Sequence, residues 1–277
     1  MLKLVALFFT MLLTVSTAAA GSPETYKDII DKAYSLSLQK DRGQAILLLV
    51  NSIKKETKKT SAPRELFNAL DQVSTIFFSE KAQQLYELGL SLKTSDTQVS
   101  LVKINESLKL ESDNYLSLVS QMQIMLANGD CSSALEQGKK LHEINLYYEP
   151  LDLIVGQAAV CAGQFETYLQ IKNKIDFKRS SLTLFWHILE VEYLNKTAAY
   201  QRAKDMLSYV QKTDPNFPEA DYWQWKLSTD TKAAQKFVSG CKSLNAKLSR
   251  KYLPEPMLCK RIAEVESFLK KNSSSDI

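Results

Sequence analysis

The sequence predicts an all-α chain built as an array of short amphipathic helices. Three observations carry that expectation. Apolar residues recur at steps of three and four, as in Leu66, Ala69, Leu70, Val73 and Phe77, and again in Tyr200, Ala203, Leu207 and Val210; this is the spacing of one helix face. No run alternates apolar and polar residues in the manner of a half-buried strand. The chain holds 8 glycines in 277 residues, few for the tight turns of an all-β sandwich or the phosphate loops of nucleotide-binding folds. A 45% hydrophobic share is enough to build a core, which argues against disorder. The net charge of +4 is spread along the chain and leaves no nucleic-acid footprint.

The elements follow in chain order. Residues 1–20 read as a secretory signal peptide: Lys3 supplies a positive charge, Leu4 to Val15 is apolar apart from Thr10 and Thr14, and Ala18-Ala19-Ala20 offers a small-residue cleavage site. The apolar stretch is shorter than the roughly 20 residues of a membrane span, and no later segment reaches that length. Removing Lys3 with the leader takes the net charge from +4 to +3. Residues 21–277 are then expected to form one helical domain, exported to a periplasm or secreted, without stable membrane insertion.

Within it the periodicity predicts helices near 24–39, 43–57, 63–77, 79–93, 97–110, 114–127, 131–144, 150–162, 165–175, 181–195, 198–212, 218–228, 231–248 and 255–271. Pro23, Pro63, Pro150, Pro215, Pro218, Pro254 and Pro256 all stand at edges of these segments, where proline suits a first helical turn. The connections are short and polar, so consecutive helices should be antiparallel neighbours.

A repeat runs through the pattern. Asn128-Gly129-Asp130 and Ala162-Gly163-Gln164 lie 34 residues apart, each between two amphipathic segments. Small residues recur in register, Gly89 and Gly156 in first helices and Ala134 and Ala203 early in second ones, and Asp214-Pro215 ends one unit before the next. A 34-residue helix–turn–helix period of this kind resembles the tetratricopeptide repeat. The resemblance is clearest over 79–228, with 231–271 as a capping helix pair, and it implies a right-handed superhelical array of antiparallel helix pairs. Residue 122 is Met where the pattern asks for Gly, Tyr168 replaces a small residue, and residues 24–77 fit the register poorly.

The repeat register bears on the cysteines. Cys131, Cys161, Cys241 and Cys259 form an even set in an exported chain, and zinc ligation would prefer short Cys-x-x-Cys spacings. Cys131 would begin one second helix and Cys161 end the next first helix, side by side in a stacked array. The expected pairs are Cys131–Cys161 and Cys241–Cys259, the latter each one to two turns into its helix; buried free thiols are the alternative.

Chemistry is sparse. His142 and His187 are the two histidines, and neither stands at a recognisable spacing from a nucleophile; no nucleophile elbow, zinc-binding helix or phosphate loop occurs. Glu190 and Glu192, two apart on a helix, point in different directions, and one is expected to be a solvated charge. Trp223 and Trp225 likewise cannot face one way, so one should pack in the core while the other fills a seam or lies exposed. No catalytic residue, metal or cofactor is expected.

What the resemblance implies is binding. First helices of successive repeats would line a concave groove, with Gln83, Tyr86, Gln123, Gln157, Glu192, Asn195, Tyr222 and Lys226 at the contact positions. Tyr86, Leu90 and Gln123 do not reproduce the Lys/Asn/Arg set by which the family's carboxylate-clamp version holds a peptide terminus. The expected function is an exported adaptor or scaffold for an envelope protein or peptide. The other class considered is a cell-envelope enzyme, or an enzyme-regulating subunit, with an unrecognised site.

Overall fold

The computed structural model describes residues 25–57, 62–93, 95–177, 180–247, 259 and 261–273; the expected leader, residues 1–20, lies outside them. The described residues form helices throughout and no strand. The first five are α1 (Tyr26–Leu38), α2 (Arg42–Thr57), α3 (Arg64–Thr75), α4 (Glu80–Leu92) and α5 (Thr97–Leu110). Next come α6 (Tyr115–Ala127), α7 (Cys131–Ile144), α8 (Glu149–Cys161), α9 (Phe165–Lys172) and α10 (Thr183–Lys196). The chain closes with α11 (Tyr200–Thr213), α12 (Pro218–Ser228), α13 (Thr231–Lys247) and α14 (Ile262–Ser273). The helices α4, α6, α8, α10 and α12 begin at residues 80, 115, 149, 183 and 218, steps of 34 or 35. The chain is thus an array of antiparallel helix pairs with a tetratricopeptide-like period.

Local chemistry repeats with the period. Thr25 and Asp28 make a capping box on α1, and Ser79, Asp96, Asn114 and Asp130 each accept a backbone N–H at the start of α4, α5, α6 and α7, which satisfies donors that a helix leaves unpaired. Four hairpins share one exit. Lys40, Gly129, Gly163 and Ala198 have φ of 63°, 81°, 73° and 58°. At each, this residue's N–H returns to the carbonyl three back, and the next N–H returns to the carbonyl five back, the Schellman pattern. The α1–α2 hairpin therefore belongs to the series despite its poor fit in sequence. The second helices also end alike: Glu111, Asn145 and Asp214 are extended, with φ of −140°, −123° and −140°.

Packing departs from an even stack. A single apolar cluster runs from α1, α2 and α3 through α6, α8, α10 and α12 to Val265 on α14. Tyr86, Ile104 and Ile124 form a second, smaller cluster with Phe77, Leu90, Leu101, Leu108 and Leu116. α6 packs on α3 as well as on α5, α7 and α8. The α4–α5 hairpin thus shares a small separate core with one side of α6, while α3 joins the main column. Asn114 links the two, since its Oδ1 caps α6 and its Nδ2 donates to the Thr75 and Ile76 carbonyls that end α3.

The expected small-residue positions are only partly used as the repeat pattern implies. A Cβ on Gly89 would meet Ile104 of its own hairpin at 2.8 Å, whereas one on Gly156 would meet Trp186 of the next first helix at 3.0 Å. Met122 occupies a site where Gly was expected because the small residue stands across from it: Gly138 on α7 faces Val155 and Met122. Tyr168 is fully buried where a small residue was expected and stacks toward Tyr193 at 5.1 Å. α8 has no exposed side, since every residue from Leu151 to Val160 is buried.

Candidate partner-binding face

Each residue expected in a groove has a definite place, and most are not open to solvent. Gln83 is exposed on α4 and donates to Glu87, and Asn195 is half-buried at the end of α10. Tyr86 is 5% exposed, packs on Phe77, and has its hydroxyl pKa pushed up to about 12 by burial. Gln123 is 4% exposed because Lys93, just past α4, reaches over it and donates to its Oε1. Gln157 is 2% exposed on the enclosed α8, and among the described residues its Oε1 has no hydrogen-bond partner. Tyr86, Gln123 and Gln157 are thus closed to solvent, while Gln83 and Asn195 are not.

At the end of the array, Glu192, Tyr222 and Lys226 are brought together by α14. Arg261, directly before that helix, places its Nη2 2.7 Å from Glu192, and its guanidinium carbon lies 4.8 Å from the Tyr222 ring centre and 5.3 Å from that of Trp223. A planar cation between a carboxylate and aromatic faces is held by charge and by the ring quadrupoles together. Glu264 accepts from the Tyr222 hydroxyl at 3.1 Å and from Lys226 at 2.8 Å. Trp225 packs on Phe268, ring centres 5.1 Å apart. Burial raises the Tyr222 pKa, against the pull of Arg261. Neither Trp223 nor Trp225 is exposed: of the two expected alternatives to core packing, filling a seam holds and exposure does not, because Arg261 covers Trp223 and Phe268 of α14 covers Trp225.

Glu190 and Glu192 do point to opposite sides, but neither is a solvated charge. Glu190 turns to α9, where the Tyr168 hydroxyl and Lys172 each donate to it at 2.5 Å, and Glu192 turns to Arg261. His187 stacks on Phe177 and meets the edge of Tyr209; burial, aided by Lys172, lowers its pKa. His142 has a partner that the sequence did not disclose. Its Nδ1 lies 2.6 Å from Asp152, beside a cavity of about 260 Å³ lined by Leu146, Tyr147, Ile171 and Lys174. Burial raises the Asp152 pKa, against the His142 hydrogen bond. Among the described residues, no group of three or more His, Cys, Asp or Glu is placed to hold a metal ion.

Cys131 and Cys161 stand at disulfide distance, Cα–Cα 5.8 Å, as do Cys241 and Cys259, 5.6 Å. Cys259 lies just before α14 with φ of 57°, rather than inside a helix as expected. Its N–H donates to Glu219 at 2.6 Å, which anchors the approach of α14 to α12. The two pairs fit disulfides and hence an oxidising compartment. Among the described residues, no helix is long and apolar enough to cross a membrane.

No protein-family model and no curated protein matches the sequence. Among solved structures the chain is similar to a tetratricopeptide repeat protein from Parabacteroides merdae, at 14% identity over 90% of this chain and 92% of that one, with a TM-score of 0.45.

Proposed function

We propose that this chain is an exported adaptor that holds a protein or peptide of the cell envelope against the inner face of its first helices, without turnover. In this reading residues 1–20 are the export signal and 21–277 one helical repeat domain in a periplasm or outside the cell. One observation carries it. The α10–α12 face already holds an amphipathic helix, through a cage of Glu192, Tyr222 and Trp223 around an arginine. Buried aromatic and arginine contacts of that kind concentrate the binding energy of protein interfaces.

The test uses photo-crosslinking residues placed at Gln83, Asn195 and Lys226, with Gln201 on α11 as an outer-face control. A stoichiometric envelope protein captured at Asn195 and Lys226 but not at Gln201 is the expected result. Equal capture at all positions, or none, would refute the adaptor.

The enzyme reading has one observation in its favour, the His142–Asp152 pair beside a cavity with Lys174. It requires turnover of an envelope substrate by purified protein, abolished by His142→Ala. Among the described residues the cavity lining holds no serine, threonine or cysteine to act as nucleophile, and we prefer the adaptor reading.

A further inference from the structure

The segment that enters α14 presents a specific pattern to the array. Arg261, Glu264, Val265 and Phe268 are spaced i, i+3, i+4 and i+7, one face of a helix. Each meets the array: Arg261 enters the Glu192–Tyr222–Trp223 cage, Glu264 takes Tyr222 and Lys226, Val265 is fully buried, and Phe268 covers Trp225. Three of these array residues, Glu192, Tyr222 and Lys226, are positions that the repeat register assigns to partner contact.

A helix that only closes the end of an array needs an apolar inner face and a polar outer one. α14 makes a more selective contact. The Arg261 side chain is 19% exposed and that of Glu192 8%, and an ion pair this far from water adds little net stability while it strongly disfavours a wrong residue. Without α14 the face would show Glu192 and Glu219, with Lys226 beside them, among Tyr222, Trp223 and Trp225, an aromatic surface suited to a helix that bears an arginine and a glutamate. The Cys241–Cys259 link, Cα–Cα 5.6 Å, holds α14 beside that surface, at an effective concentration on the order of millimolar for a short tether.

We propose that α14 occupies the partner site in cis, and that the partner is a helix presenting an arginine, a glutamate three residues on and an aromatic seven residues on, which replaces α14 in the cage. The proposal rests on the adaptor reading and adds to it the chemistry of the partner.

The probe is a fluorescent peptide of residues 260–273, titrated into the full chain and followed by anisotropy. Arg261→Ala in the protein empties the cage while leaving the rest of α14. This variant should bind the peptide at least about tenfold more tightly than the unaltered protein, since the tethered competitor is weakened. Adding Glu192→Gln should cancel the gain, and a peptide with its arginine replaced by alanine should not bind. A folded Arg261→Ala protein that binds no better than the unaltered one overturns the proposal, and so does a variant that fails to fold, because α14 is then a permanent part of the core. Hydrogen exchange on the unaltered protein gives a second reading: α14 amides should exchange at least about tenfold faster than those of α12, and equal protection overturns the proposal. A cross-linked envelope partner that the peptide does not displace overturns this proposal alone. Peptide binding with no envelope partner at any position overturns the adaptor reading, and the partner half of this proposal with it.

Discussion

Replacing Arg42 with methionine removes the most heavily bonded buried side chain in the structure's first half. Arg42 opens α2 with its side chain fully buried. Its Nε donates to Val73 O at 3.1 Å, one Nη to Ile76 O at 2.5 Å and to Glu111 at 2.8 Å, and the other to Asp113; the guanidinium also lies 4.5 Å from the Phe78 ring centre. These losses are unequal. Ile76 O keeps the Asn114 amide at 3.1 Å. Val73 O, in the last turn of α3, is left with no other donor among the described residues, at a cost of about 1–3 kcal/mol. Glu111 is the larger liability, since its side chain is 6% exposed and stripping one partner from a buried pair costs about 3–5 kcal/mol. Asp113, 49% exposed, adds under about 1 kcal/mol. The losses overlap, and methionine preserves the packing on Phe78, so we expect about 4 kcal/mol for the unit that joins α1–α3 to the α5–α6 junction. The assay is urea unfolding with disulfides intact, read together with amide exchange of α2, α3 and α5. Glu111→Gln completes a double-mutant cycle: it keeps an acceptor for the Phe78 and Ser79 N–H groups, now at 2.7 and 2.6 Å, while removing the charge. In the Arg42→Met background it should recover about 2 kcal/mol. A single-variant cost below about 1 kcal/mol, or strict additivity in the cycle, would refute the reasoning.

Other expectations follow from the same geometry. Gly138→Ala would set a Cβ 2.6 Å from the buried Val155 Cγ2 and should cost about 1–3 kcal/mol in chemical denaturation. Ala198→Gly, by contrast, relieves a φ of 58° and should stabilise by about 0.5–1 kcal/mol; destabilisation would mean that the turn is not left-handed in solution. Replacing Cys131 and Cys161 by serine opens a link 30 residues apart in sequence, and the midpoint shift should correspond to about 3–4 kcal/mol. The fourth concerns pH. Burial raises the carboxyl pKa of Glu149, whose partner is Ser180. The folded chain therefore holds a proton at higher pH than the unfolded one, and Glu149 gains stability as pH falls through its raised pKa. Glu149→Gln should accordingly be more stable than the unaltered protein at pH 7, with the difference gone by about pH 4; a difference independent of pH would contradict the burial argument.

Much of the array was legible because its signals are local. Gly129 and Gly163 mark their turns, Pro150 and Pro218 lie in the first turns of α8 and α12, and the 34-residue step follows. Lys40 and Ala198 adopt the same left-handed turn without glycine, so composition gives no sign of it and packing of the hairpins imposes it. The exchange of Met122 and Gly138 across α6 and α7 is similar, since volume is conserved between two helices and neither residue alone shows it. Of the expected contact positions, the structure draws three into one cluster, and their cover was not legible. Glu192, Tyr222 and Lys226 do come together, but the cover comes from Arg261 and Glu264, 69 and 42 residues away from Glu192 and Tyr222. Long-range pairing of that kind leaves no periodic trace. The Asp152 carboxylate beside His142 was missed for the opposite reason: it stands 10 residues away, a spacing that fits no catalytic motif.

The all-round enclosure of α8 bears on how such an array can be divided. Arrays of stacked repeats are often shortened one unit at a time, each cut exposing only the modest face between neighbours. Here every side chain from Leu151 to Val160 is enclosed, so a break on either side of α8 bares a helix that has no polar stripe to turn toward water. Fragments that carry α8 with both flanking pairs should be soluble, and those that end at it should aggregate. The smallest span expected to enclose α8 on both sides accordingly runs from α6 to α11.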